Sequence, residues 1–226
     1  MFKKLVISLV SSVLFANYTS ADTLVVMLDI SGSTPIVEPN FIRSSMPIIT
    51  EKIGRLPIGS NIEVMTVGDD KRMPLNLHFY VQRMKDKHGD TVVNLSRNVP
   101  VMVTQYLNSV RESPQTKMQG ESSLSPGFLD ASKLCQKSRP CESVFFTDGM
   151  EYQPNVIVWP RDYNKPLPSI DGLDLNGMNV TMYGVGQCAK GLESGCATSQ
   201  ARISIENHWQ KWLKKYSAGD VTIRRL

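Results

Sequence analysis

The 226-residue sequence has no cysteine before position 135, only three widely separated histidines, and almost no imbalance of charge. Each scarcity removes a class of function. Setting aside Lys3 and Lys4 leaves 23 basic residues against 21 acidic ones, a formal charge of +2. Tracking a phosphate backbone needs a larger basic excess, so nucleic acid is not an expected partner. Lys211, Lys214, Lys215, Arg224 and Arg225 gather near the C-terminus, where a solvated helix face accounts for them equally well. His78, His88 and His208 are scattered, and no CxxC pair is present to suggest a zinc ribbon. Beyond the first 21 residues no apolar run is long enough to cross a bilayer.

Residues 1–21 read as a secretory signal peptide. Lys3 and Lys4 form a short basic start, Leu5 to Ala16 is largely apolar, and Thr19-Ser20-Ala21 offers a small-residue cleavage site. An uncleaved anchor is the alternative, but the apolar stretch is short for a span. No cysteine lies near the cleavage point, so a lipoprotein anchor is not indicated. The remainder, 22–226, has room for one α/β domain. Cys135, Cys141, Cys188 and Cys196 make an even count behind a signal, which reads as two disulfides and a periplasmic or secreted location. Asn94-Leu95-Ser96 and Asn179-Val180-Thr181 match the glycosylation triplet, one that is common by chance.

Strand and helix patterns alternate along this domain. Leu24 to Leu28 and Val144 to Phe146 are apolar at every position, as strands buried on both faces of a parallel sheet should be. Ile42, Met46, Ile49, Ile53 and Leu56 repeat at helical spacing. Ile62 to Val67 and Leu77 to Val81 follow as strands, joined by a link too short for a crossover helix, so the latter should run antiparallel at an edge. Pro100 reads as the start of a helix burying Val103, Tyr106, Leu107 and Val110. A short helix through Phe128 and Leu134, a strand from Val180 to Val185, a helix lined by Ile205, Trp209, Trp212 and Leu213 and stopped by Gly219, and a strand from Val221 to Arg225 complete the pattern. The two tryptophans read first as core anchors. Between Asp148 and Gly177 no regular period is visible, and a loop of that length is usually functional or disordered. The fold class is therefore α/β: a doubly wound, mostly parallel six-stranded sheet of order 3-2-1-4-5-6, with the third strand an antiparallel edge.

In such a sheet ligands bind at the carboxyl ends of the strands where the order reverses, here between the first and fourth strands. The first is followed by Asp29-Ile30-Ser31-Gly32-Ser33 and the fourth by Thr147-Asp148-Gly149. Two carboxylates and two hydroxyls thus converge on one crevice, a hard oxygen set suited to Mg²⁺, Mn²⁺ or Ca²⁺. A turn leaving a strand can aim alternate side chains inward, and Gly32 is expected to permit the bend. Hydroxyls in place of further carboxylates leave the cation with positive character toward an outside ligand.

These segments resemble the metal-ion-dependent adhesion site of von Willebrand factor A domains. Asp29-Ile30-Ser31-Gly32-Ser33 is similar to the first motif and Thr147-Asp148-Gly149 to the last. Gly120-Glu121-Ser122-Ser123-Leu124-Ser125-Pro126-Gly127 matches the middle one, with Ser122 where the family usually has threonine. Ser123 or Ser125 could stand in for Ser122, and helix capping is the alternative role for all three. Tyr183-Gly184-Val185-Gly186 is similar to the family's fifth strand. The resemblance spans 23–226. It implies metal ligation by Asp29, Ser31, Ser33, Ser122 and Asp148, with an Asp or Glu of a partner protein completing the shell.

The strand layout also constrains the disulfides. Cys141 precedes the fourth strand and Cys188 follows the fifth, so parallel strands of five residues hold them roughly 17 Å apart, beyond disulfide reach. Cys135–Cys141 and Cys188–Cys196 are the expected pairs. The loop from Gln187 to Ala197 and the segment with Tyr152, Trp159 and Tyr163 are candidates for a partner surface. Burial of Trp159 against the sheet is the other reading. The expected function is a non-enzymatic, metal-dependent binding module for adhesion or assembly. A structural subunit of an envelope machine (a pilus, secretion or conjugation apparatus) with a bracing metal is the alternative. A metal-dependent phosphohydrolase fits less well: its acid-base carboxylate belongs two residues after the nucleophilic aspartate, where Ser31 stands.

Overall fold

A computed structural model of the protein describes residues 22–67, 74–114, 118, 123–136, 140–153, 156–158, 166–191 and 199–226, with backbone alone at 152–153 and 156–158. The strands are β1 (Thr23–Asp29), β2 (Asn61–Val67), β3 (Asn76–Gln82), β4 (Asp90–Thr91), β5 (Cys141–Phe146), β6 (Glu151–Gln153), β7 (Val156–Val158), β8 (Met178–Tyr183) and β9 (Val221–Arg224). The helices are α1 (Pro39–Gly54), α2 (Val92–Glu112), α3 (Leu124–Cys135) and α4 (Ser199–Lys215). Seven strands form the main sheet in the order β4-β3-β2-β1-β5-β8-β9. β2, β1, β5, β8 and β9 run parallel, and β3 is antiparallel to β2. This is a doubly wound, mostly parallel α/β architecture of the Rossmann-like kind.

The expected six-strand order is present with one addition. β4 pairs parallel to β3 and displaces it from the edge. Two residues carry no readable hydrophobic alternation, which is why β4 was not foreseen.

β1 is buried along its whole length, so its alternate side chains feed two cores. Leu24, Val26 and Leu28 meet Ile42, Ile49 and Ile53 of α1 and Val99, Val103 and Leu107 of α2. Val25 and Met27 face the opposite core with Phe128 of α3 and Ile205, Trp209 and Leu213 of α4. Phe128 stacks on Phe145 at 4.0 Å and contacts both tryptophans, which are core anchors.

Three local expectations change. α2 begins at Val92, not Pro100, because Thr91 caps it by accepting the Asn94 N–H at 3.2 Å. The early start adds Leu95 and Val99 to the buried stripe. Burial brings about 1.5–3 kcal/mol for each such side chain, which offsets the ~3 kcal/mol cost of an internal proline. α4 ends before Gly219, since Ser217 takes the left-handed conformation at φ 63° and Ala218 N–H returns to the Leu213 carbonyl at 3.1 Å. The irregular stretch after Asp148 contains a two-stranded hairpin, β6–β7, with Tyr152 opposite Ile157.

Cys135 and Cys141 form the expected disulfide, tying the end of α3 to the start of β5. Cys188 is also disulfide-bonded, while its expected partner Cys196 lies outside the described residues. The signal-peptide reading of 1–21 falls outside them too. Among the described residues no helix is long and apolar enough to cross a membrane.

Candidate metal centre at the carboxyl ends of β1 and β5

β1 and β5 lie side by side with Leu28 opposite Phe146, so Asp29 and Thr147-Asp148 leave the sheet at the same edge. Asp29 is 1% exposed and Asp148 fully buried. Both oxygens of Asp29 are held. Oδ1 accepts the Ser31 N–H at 3.0 Å, and Oδ2 accepts the Thr147 hydroxyl at 2.7 Å. Thr34 fixes the same turn by donating its hydroxyl to the Asp29 carbonyl at 2.7 Å. The Ser31 and Ser33 hydroxyls lie 3.3 Å apart, so the alternate residues of this turn do face one another.

Asp148 Oδ1 accepts the Met150 N–H at 2.9 Å, whereas Oδ2 is buried with no hydrogen-bond partner among the described residues. Burial, and then the nearby Asp29 carboxylate, push Asp148 up to about 8; the Ser33 hydroxyl and the Met150 N–H work in the opposite direction. A buried carboxylate oxygen with no partner among the described residues, beside a second carboxylate, is unfavourable unless a proton or a cation neutralises it. The donor set fits one. Asp29, Ser31, Ser33 and Asp148 supply hard oxygens that could hold Mg²⁺, Mn²⁺ or Ca²⁺, and such an ion would offset the repulsion between the two acids.

Ser122, the fifth expected ligand, lies outside the described residues. Of its two substitutes, Ser123 is the N-cap of α3 but makes no side-chain cap bond. Ser125 gives its hydroxyl to Glu151 at 2.6 Å. Its hydroxyl is thus committed to Glu151, and it does not itself cap the helix, the alternative role weighed for it. Trp159 and Tyr163 lie outside the described residues, as does the side chain of Tyr152.

Several supporting residues were not foreseen. Thr34 and Thr147 orient Asp29, and Glu151 holds the start of α3. Trp209 donates its indole N–H to the Gly149 carbonyl at 2.7 Å, tying the last motif to the core. Gly149 has φ 77°, and a Cβ there would sit 2.9 Å from Val185 Cγ1, so glycine is required. Gly32, by contrast, does not adopt a positive φ and a Cβ on it would meet open space; the expected need for glycine at that bend is not present. The Cys188 loop closes the rim: Ala189 N–H donates to the Ser33 carbonyl at 2.9 Å, and Lys190 N–H bonds the Glu38 carboxylate.

No family model and no curated protein matches the sequence. Solved structures similar to the chain include an aerotolerance-related membrane protein from Bacteroides fragilis, at 13% identity over 90% of this chain and 91% of that one, with a TM-score of 0.46. The conserved hypothetical protein BatB from Bacteroides thetaiotaomicron gives 12% identity over 90% of each chain and a TM-score of 0.44. The ArnB paralog VWA2 from Sulfolobus acidocaldarius gives 14% identity over 90% of this chain and 41% of that one, with a TM-score of 0.38.

Proposed function

We propose that the protein is an exported, non-enzymatic binding module that uses a divalent cation, Mg²⁺ foremost, to capture an Asp or Glu side chain of a partner protein. Asp29, Ser31, Ser33 and Asp148 hold the ion, together with a serine hydroxyl preceding α3 in the chain, Ser122 in the first instance. The observation that carries this reading is Oδ2 of Asp148, which has no partner among the described residues and is buried beside a second buried carboxylate at the switch point of the sheet. Two carboxylates supply only part of an octahedral shell, which leaves room for a partner's acid. The disulfide-bonded cysteines fit an oxidising compartment, hence the periplasm or the outside of the cell.

Calorimetry with Mn²⁺ and Mg²⁺ tests the site directly. The wild type should take up one ion, and Asp148→Ala should take up none. Absence of uptake by correctly folded wild type would overturn the reading. The alternative, an envelope-machine subunit with a bracing metal, draws support from the depth of Asp29 and Ser31, both at most 3% exposed. An Asp148→Ala variant that loses the ion yet keeps its partner would favour that alternative. Turnover of a phosphate ester by the metal-loaded protein would instead favour the phosphohydrolase.

A further inference from the structure

Glu151 is fully buried, three residues beyond Asp148, and the proposed chemistry leaves it unused. Its carboxylate is nevertheless well supplied with donors. Oε2 accepts the Leu124 N–H at 2.8 Å and the Ser125 N–H at 3.1 Å, while Oε1 accepts the Ser125 hydroxyl at 2.6 Å. Leu124 and Ser125 are the first two residues of α3, so these are N–H groups that no carbonyl within the helix can satisfy. A helix usually meets that need with its own N-cap side chain. Ser123 stands at the N-cap and makes no such bond. The capping is done instead from the first residue of β6, 26 and 27 residues further along the chain.

We propose that Glu151 is a positioning residue: it latches the start of α3, and with it Ser123 at the N-cap, to the loop that carries Asp148. The two segments enter the site from different parts of the fold, α3 from the helical layer and the Asp148 loop from the end of β5. Without a tie between them, the Ser123 hydroxyl and the carboxylate of Asp148 would be set independently. With the latch, displacement of one displaces the other. Met150 completes the connection, since its N–H holds Asp148 Oδ1 immediately before Glu151 in the chain. Because Glu151 does the capping, the Ser123 hydroxyl is left uncommitted to the helix end. This role rests on the cation reading given above.

The test compares wild type with Glu151→Ala, Glu151→Gln and Ser125→Ala by Mn²⁺ calorimetry, thermal unfolding, and amide exchange at Leu124 and Ser125 in chelator. Glu151→Ala should weaken Mn²⁺ binding roughly 10- to 100-fold, the usual effect of losing a group that supports a metal ligand. Glu151→Gln should recover most of that affinity, because an amide oxygen can accept the helix N–H groups and its NH₂ can donate to Ser125 Oγ. The Leu124 and Ser125 amides should exchange faster in Glu151→Ala than in wild type. Should Glu151→Ala fail to fold, Ser125→Ala removes one of the three bonds and carries the test with a smaller, several-fold loss. Folded variants that bind Mn²⁺ as tightly as wild type would refute the latch and leave the cation site standing. No uptake by wild type would overturn the cation site and this role with it.

Discussion

Asp148 carries a pH dependence whose sign follows from its surroundings. Its folded value is pushed from 3.8 to about 8 by burial and by Asp29. Between those values the folded chain keeps a proton that the unfolded chain has given up. Metal-free protein should therefore lose stability as pH rises through that window. Melting in chelator should show this fall between pH 5 and 8, saturating Mn²⁺ should flatten or reverse it, and Asp148→Asn should remove it. Below pH 8, calorimetry in buffers of different ionisation enthalpy should also register a proton released on metal uptake. A melting temperature in chelator that is flat across the window would contradict the account. The glycines of the two motifs supply a second contrast at this scale. Gly149→Ala places a Cβ against Val185 at a positive φ and should cost about 1–3 kcal/mol, whereas Gly32→Ala should stay within roughly 0.5 kcal/mol. Thermal melts of the two variants would separate them.

α4 shows how an element serves core and site together. Its buried face of Ile205, Trp209, Trp212 and Leu213 follows the helical period and was readable from spacing alone. The bond from the Trp209 indole to Gly149 was not, because spacing shows which side chains are buried and not what their polar edges meet. Trp209→Phe should keep much of the packing but strand the Gly149 carbonyl, at a cost of about 1–3 kcal/mol. Its metal affinity should fall as well, since Gly149 adjoins Asp148; unchanged affinity in a destabilised variant would separate the core role from the site. The same limit explains the rest of what the sequence conceals. β1 and β5 announced themselves as continuous apolar runs, and Asp29, Ser31, Ser33 and Asp148 followed because strand ends at a switch point are predictable places. α2 was misjudged at its start because proline favours a first helical turn, and only the sheet beneath Leu95 and Val99 decides otherwise. The three-residue strands of the β6–β7 hairpin are too short to show a period. Glu151 is a single acid after a motif, and its meaning depends on a helix 26 residues earlier in the chain.

At the scale of the molecule, the parallel sheet has two ends, and each carries a disulfide-bonded cysteine. Cys141 opens β5 opposite Thr23, at the end remote from Asp29. Cys188 follows β8, whose last residue Tyr183 lies opposite Phe146, at the end where the two carboxylates meet. The same chemistry should therefore have different consequences at the two ends. Removing the Cys135–Cys141 bond with paired alanines frees a short loop and should cost about 2 kcal/mol of stability, seen as a lower melting temperature. It should leave Mn²⁺ affinity unchanged, because nothing near Asp29 or Asp148 moves. Cys188→Ala releases the loop whose Ala189 N–H grips the Ser33 carbonyl and whose Lys190 N–H grips Glu38. Ser33 then loses the backbone bond that reaches it from the Cys188 loop, and Mn²⁺ affinity should drop several-fold even where the melting temperature changes little. Measuring both quantities on both variants makes a two-by-two test. If the two disulfides prove interchangeable, each lowering stability and neither touching the metal, then the rim loop is packing for the fold and not part of the site.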